Sequence, residues 1–315
     1  MVEIVKYDES YSLKVRESFQ SLWLEIQKHG DVLKDTINIA VEGDRVLGVC
    51  FLLDTPSCEC ADKEHPGYLN MEFEAILGEE GIEISAMLID ALIDEYQKIC
   101  EANNNKRLIL RTFCPASSVD YIGFLSSFGF RAQYFMYRMK KDLSGVEPMT
   151  GDGGFSFTVR GRSGREEKIE VKAIRAESDG SIADRDEYFE ANGSAFGIPD
   201  SKNELVYRLR EQNGVQFTAK AKGKVVAAVS VWENGHGSVS TENIFCIKEY
   251  RRLGITEKLL RGVCAYLSGK GYREASLYVF GVNNYAVGLY TKLGYNIYGG
   301  TLHMLYEDDY VPELI

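Results

Sequence analysis

"EYRRLGITEKLL", Glu249–Leu260, follows directly on the apolar stretch "NIFCI", Asn243–Ile247, and gathers two arginines and a glycine in front of a run with helical spacing. The first amides of a helix have no partner within it, and the aligned peptide dipoles put partial positive charge at that end. Gly254 lets the backbone approach a bulky guest, and Arg251 and Arg252 add charge, so a phosphate or pyrophosphate is the natural ligand. A glycine in a helix-entry loop beside surface arginines is also an ordinary arrangement, and this stretch taken alone leaves both readings open.

Working outward, "KIEVKAIRA" alternates as a strand, while "ADRDEYFEANGSAF" and "SKNELVYRLREQ" read as helices. "VQFTAKAKGKVVAAVSVW" is a hairpin turning near Lys222-Gly223, and "GSVSTENIFCI" is a further strand. After the helix of the opening stretch come the strand "EASLYVF", a helix "NNYAVGLYTKLG" closed by Gly294, and a last strand "YNIYGGTLHMLY". The first half repeats this order from "VEIVKY" to "RAQYFMYRMK". Between the halves, Leu143–Lys168 is rich in Gly and Ser and reads as a linker carrying one strand in "FSFTV". The expected division is a domain at 1–145, a linker at 146–166 and a domain at 167–315.

Composition narrows the function classes. The 315 residues hold no charged start followed by an apolar leader, and no apolar run near the roughly 20 residues that span a bilayer, so a cytoplasmic protein with no membrane partner is expected. Residues 1–150 hold 15 Lys and Arg against 25 Asp and Glu, and the remainder holds 21 against 22. An acidic first half argues against nucleic acid, which requires a basic face. The seven cysteines form no framework. Cys58, Cys60 and His65 lie close in sequence but lack the second ligand pair of a zinc motif, so buried thiols and no metal are expected.

"LYVFGVNNYAVGLYTKLGY", Leu277–Tyr295, together with "FCIKEYRRLGIT", resembles the GNAT superfamily of acetyl-CoA-dependent N-acetyltransferases. The family's phosphate loop, Arg/Gln-x-x-Gly-x-Gly/Ala, corresponds to Arg251, Arg252, Leu253, Gly254, Ile255 and Thr256, with Thr256 departing from the pattern. Its later motif corresponds to Asn283, Ala286, Leu289, Tyr290, Leu293, Gly294 and Tyr295. The resemblance covers about residues 168–306 and implies an α/β fold of two GNAT-like domains, each a mixed, mostly antiparallel sheet flanked by helices. In the first half, aligning "LGEEGIEISAML" on "YRRLGITEKLL" puts Gly81 opposite Gly254 and crowds Glu79, Glu80 and Glu83 where a pyrophosphate would sit. Leu125 stands opposite Tyr290 and Ser118 opposite Asn283, so the first domain is read as degenerate.

The resemblance implies acetyl transfer from acetyl-CoA to a small-molecule or peptide amine. It assigns Ile244, Phe245 and Cys246 to the pantetheine arm, the loop Arg251–Thr256 to the pyrophosphate, Asn283 and Ala286 to the cofactor, and Tyr290 to both cofactor contact and proton donation. Strand alternation puts Glu242 on one face with Ile244 and Cys246, which makes it the candidate base or, equally, a solvated glutamate near a strand end. His236 reads as a turn residue and Cys246 as an apolar filler. Asn283 suits a helix cap as well as a cofactor contact, and Tyr290 suits a core position as well as an acid. Tyr188, Phe189 and Phe196 line either the acceptor cleft or the core. The second reading of the whole chain is a CoA-binding module without catalysis, and the oligomeric state stays open.

Overall fold

The computed structural model describes residues 1–306 apart from 29–31, 60, 176–184, 198–204, 206–207 and 211. The described residues form two units, Met1–Tyr134 with Thr301–Tyr306, and Phe135–Gly300.

In the first unit, β1 (Glu3–Lys6) pairs antiparallel with β2 (Asn38–Glu42), which forms a hairpin with β3 (Arg45–Asp54). The run "SLKVRESFQSLWLEIQKH", Ser12–His29, which reads as one helix by its spacing, forms two, α1 (Ser12–Ser18) and α2 (Gln20–Lys28), because Phe19 leaves helical geometry at φ −135 and ψ 57. A short α3 (Pro56–Glu59) precedes β4 (Gly67–Ala75), which lies antiparallel to β3 and parallel to β5 (Leu108–Pro115). The crossover is α4 (Glu79–Ala102), and α5 (Val119–Ser127) follows β5. One sheet face packs Ile84, Leu88 and Leu92 of α4 on Leu69, Met71 and Leu110. The other packs Val15, Phe19 and Ile26 of α1 and α2 on Ile39, Val49 and Phe51.

The second unit continues the chain's numbering with β6 (Phe130–Asp142), whose residues from 135 onward belong here, then β7 (Phe155–Arg160) and β8 (Glu166–Ile174). Helix α6 (Arg185–Phe196) leads to β9 (Val215–Ala221), β10 (Lys224–Gly235) and β11 (Ser238–Cys246). The β9–β10 turn falls at Lys222 and Gly223, with φ of 50 and 81, as a two-residue hairpin of this hand requires. Helix α7 (Ile255–Gly269) crosses to β12 (Glu274–Phe280), followed by α8 (Asn284–Lys292) and β13 (Asn296–Tyr306). The expected helix "SKNELVYRLREQ" falls largely outside the described residues. Helix α7 buries Ile255, Leu259, Leu260, Val263 and Leu267 on one side, and each leucine so buried contributes roughly 1.5–3 kcal/mol. They meet Phe217, Val229, Val231 and Leu277 of the sheet.

In each unit the strand pairing is mixed and mostly antiparallel, with one parallel pair, β4 with β5 in the first and β11 with β12 in the second, flanked by helices as the resemblance implies. The division of the chain differs from the expected 1–145, 146–166 and 167–315. Strand β6 pairs residues 136–142 with β12 in the second unit, and β13 pairs residues 301–306 with β5 in the first. The expected linker holds β7, paired along its length with β8. Alternation identifies "RAQYFMYRMK" and "TLHMLY" as strands; it carries no information about which strand each will join.

Candidate active site

The parallel pairing of β11 and β12 is short, running from Ser238–Glu274 to Ser240–Ser276. Thr241 Oγ1 closes the fork by donating to the carbonyl of Ser276 at 3.0 Å. Beyond that point no described strand joins the β12-facing edge of β11. Its main-chain groups at Ile244 and the amide of Cys246 are therefore open to a guest, the Cys246 carbonyl being taken by Arg251, since unpaired backbone donors and acceptors seek a partner.

The other edge of β11 pairs with β10, and here the register slips. Ser230 faces Glu242, yet Ala228 faces Phe245, so β11 carries one extra residue over this interval. The extra residue sits at Asn243, whose φ is +48. A bulge of this kind reverses the alternation that follows it. Glu242 consequently shares a face with Phe245, which packs on Tyr188 and Phe189 of α6, while Cys246 and Ile244 turn to the α7 side. This corrects the expectation that Glu242, Ile244 and Cys246 share one face. Nothing in "TENIFC" announces the slip, because asparagine rather than glycine occupies the left-handed position.

After β11 the chain makes a tight turn, Lys248–Tyr250, and enters α7. Gly254 is the N-cap, with φ 77 and ψ 10, and no side chain caps the helix. A Cβ placed on Gly254 would meet nothing within 4 Å, so the space over the helix end is open. The flanking arginines divide their tasks. Arg251 donates from Nε to the carbonyl of Cys246 at 2.9 Å and from Nη2 to the carbonyl of Ala195 at 3.3 Å, clamping the loop to β11 and α6. Arg252 is exposed, its guanidinium 5.9 Å above the ring of Tyr285. Leu253 packs against the core and Ile255 is buried in it. Burial pushes the Cys246 thiol up to about 11, against smaller lowering effects of Arg251 and Thr256. That thiol stays protonated, in keeping with a filler rather than a nucleophile.

Tyr290 is 6 % exposed and packs with Leu293 and Ala286 in the α7-side core. Burial pushes its phenol well above the usual tyrosine range. Asn283 caps α8, its Oδ1 accepting from the amide of Ala286 at 3.1 Å. Tyr188 and Phe189 are core residues, and Phe196, half-exposed, meets Phe245 edge-on at 5.9 Å. His236 is exposed in its turn at φ 53. Cys58 is buried with its thiol donating to the carbonyl of Tyr68 at 3.2 Å, His65 lies at the surface 3.1 Å from Asp62, and Cys60 is outside the described residues.

Sequence reading missed a buried polar row. Gln216 and Thr218 of β9, Ser230 of β10 and Ser240 of β11 are all buried on the face that carries Glu242. Ser230 Oγ donates to Gln216 Oε1, and Ser240 Oγ to Glu242 Oε1, each at 2.7 Å. Gln216 Nε2 and Thr218 Oγ1 are buried with no partner among the described residues. Such orphans cost about 1–3 kcal/mol each. The signal lay in "VQFTAKA", where Gln and Thr alternate with apolar residues in the way of a solvent-facing side.

The first unit has the same elements without this equipment. The register of β3 on β4 is unbroken from Gly48–Ala75 to Asp54–Leu69, so no bulge answers that at Asn243. Gly78, not Gly81, caps α4, at φ 98, which makes Gly78 the counterpart of Gly254. Gly81 lies inside the helix, where a Cβ would come within 1.8 Å of the carbonyl oxygen of Ile76. Glu79 and Glu80 fill the first turn, and Leu125 is the seventh residue of α5 as Tyr290 is of α8.

Residues 183–295 match the family model described as Acetyltransferase (GNAT) family. No curated protein sequence matches the chain. Among solved structures, a GCN5-related N-acetyltransferase from Sphaerobacter thermophilus superposes with a TM-score of 0.66 at 15% identity, covering 96% of this chain and 95% of its own. A tandem GNAT protein from the clavulanic acid biosynthesis pathway gives 0.60 at 11% identity, covering 97% and 98%. A GCN5-related glucosamine N-acetyltransferase region of a fungal multi-domain β-N-acetylglucosaminidase gives 0.63 at 11% identity, covering 96% of this chain and 38% of that one. Such identities establish the fold alone, and the fold includes the tandem arrangement. With the forked strands, the glycine-capped helix and the family match within its second unit, residues 183–295 form a domain of the GNAT acetyltransferase family, in a chain that has the fold of tandem GNAT proteins.

Proposed function

We propose that the second unit is an N-acetyltransferase that moves an acetyl group from acetyl-CoA to a primary amine. The observation that carries this reading is the bulge at Asn243. It turns Glu242 toward one face of the fork while the edge of β11 at Ile244 and the amide of Cys246 has no partner strand among the described residues and Tyr290 lies on the other face. An amine and an acyl donor can thus approach one point from opposite sides.

The residues fit coenzyme A. The amides of Leu253–Thr256 form an uncapped helix end with open space above Gly254, suited to a pyrophosphate. The open edge of β11 offers main-chain groups to an extended arm carrying amides. When bound, the cofactor supplies an acyl group activated as a thioester. Glu242 receives the proton from the amine nitrogen, directly or through one water, with its Oε1 oriented by Ser240. Amines have pKa values from about 8 to 10.4, so a base is needed near neutral pH. Tyr290 holds a proton at its hydroxyl for the departing sulfur. Because burial makes this phenol a weaker acid than usual, and a thiol of pKa near 8.5 leaves fairly well unaided, its help is a moderate factor. Gln216, Thr218 and Ser230 line the side of the sheet that Glu242 faces, which supports a small polar acceptor.

Release of free thiol from acetyl-CoA, measured over a panel of small amines, amino acids and peptide N-termini, tests this. Amine-dependent turnover is expected. Tight CoA binding with no turnover on any amine would instead establish a binding module without catalysis.

A further inference from the structure

The first unit, which lacks the equipment just described, carries a polar cluster of its own at the mouth of the β4–β5 fork, on the sheet face that α1 and α2 partly cover. The parallel pairing of those strands ends at Asn70–Arg111. Arg111 is half-buried, its guanidinium 4.8 Å from the ring of Tyr68 and 4.9 Å from that of Phe113. Its Nε donates to Asn70 Oδ1 at 2.8 Å. With Nε engaged and two aromatic rings in contact, the guanidinium is held in place. Its two η nitrogens have no carboxylate partner among the described residues. Partly burying a charge without a counter-charge is costly.

His303 stands directly opposite Phe113 in the β5–β13 register and meets its ring edge-on at 4.4 Å, with Tyr134 at 4.2 Å. It is 7 % exposed, and its Nδ1 is buried with no partner among the described residues. Burial, helped by the Arg111 charge, pushes the imidazole down to about 3, so the ring is neutral and offers one donor and one acceptor. Arg111 and His303 therefore flank one aromatic ring, and each keeps hydrogen-bonding capacity that the protein leaves unused.

We propose that Arg111 and His303 form a binding site for a small monocarboxylate, distinct from the acyl-transfer fork of the second unit. A fixed guanidinium presenting paired η nitrogens matches the two oxygens of a carboxylate. Charge selects a monoanion over a phosphate. Arg111 is the one cation of the cluster among the described residues, His303 is neutral, and the same face carries the carboxyl of Glu72 two residues beyond Asn70. The rings of Tyr68, Phe113 and Tyr134 suit a ligand with a short apolar body.

Calorimetric titration of the intact chain with sodium propionate, and in parallel with inorganic phosphate, tests the site. One propionate per chain is expected, with phosphate at least about 10-fold weaker. Arg111→Gln should weaken propionate by roughly 10-fold or more, and His303→Gln by a smaller factor, with the thermal midpoint as the check on folding. Should Arg111→Gln unfold, Arg111→Lys keeps the charge, removes the fork and is expected to lose affinity in the same direction. Absence of propionate binding to the wild type, undiminished binding in the Arg111 variants, or tighter binding of phosphate would each overturn the proposal.

Discussion

Tyr290 belongs to a core and, on our account, to a reaction, and one atom separates the two roles. Tyr290→Phe keeps the ring against Leu293 and Ala286 and removes only the hydroxyl. We expect kcat to fall by roughly 10- to 10³-fold with an unchanged thermal midpoint, since the loss is confined to the transition state. Wild-type turnover in this variant would make Tyr290 packing alone. Glu242→Gln is expected to lower kcat/KM at neutral pH by roughly 10²-fold or more. That deficit should shrink as the pH rises and the amine deprotonates unaided, and a pH-independent deficit would point to another base. A third residue governs stability. Glu72 is raised to about 7, first by burial and then by the neighbouring charge of Glu25. A group whose folded pKa lies above its unfolded value adds stability in full below the unfolded value and loses it as pH rises through the folded one. The contribution of Glu72 should therefore fade between about pH 4.5 and 7. A thermal midpoint measured across this window should decline less steeply in Glu72→Gln than in wild type.

At the scale of elements, periodicity made most of the fold legible. The strand read as "EASLYVF" is β12 residue for residue, and the hairpin turn falls at Lys222-Gly223 as expected. What stayed hidden was local backbone geometry with no residue type to announce it. The slip at Asn243, the break at Phe19 and the choice of Gly78 over Gly81 as cap each follow from three-dimensional fit. The candidate site was read from residue types, and its facing was not legible: the alternation that set Glu242 beside Ile244 and Cys246 is broken by the bulge. Deleting Asn243 would restore plain alternation and drive Phe245 from the α6-side core to the opposite face. The deletion is expected to abolish turnover and lower the thermal midpoint by several degrees, on the order of the 3–5 kcal/mol cost of losing a buried phenylalanine. Full activity in the deletion variant would mean that the bulge has no role in aligning Glu242.

At the scale of the whole molecule, the repeat seen in the sequence is present, but its last strand is exchanged. A fragment of residues 1–145 lacks the 301–306 segment that pairs with β5, and a fragment of 167–315 lacks the 136–142 segment that pairs with β12. Each fragment leaves a long strand without its neighbour, an invitation to aggregation. Neither is expected to give a cooperative unfolding transition alone, and either doing so would show that the exchanged strand is dispensable. The duplication also sets the central claim, that one unit of two holds the acyl donor. Gly254 opens a helix whose first turn carries a single carboxylate, Glu257, ion-paired with Arg261 and Lys292, whereas Gly78 opens one whose first turn presents the exposed Glu79 and Glu80. Like charges at such an end oppose a pyrophosphate. The most direct test is the stoichiometry of acetyl-CoA by calorimetry on the intact chain, together with Gly254→Glu. One molecule per chain, with binding lost in the variant, is the predicted result, and two molecules per chain or undiminished binding in Gly254→Glu would contradict it.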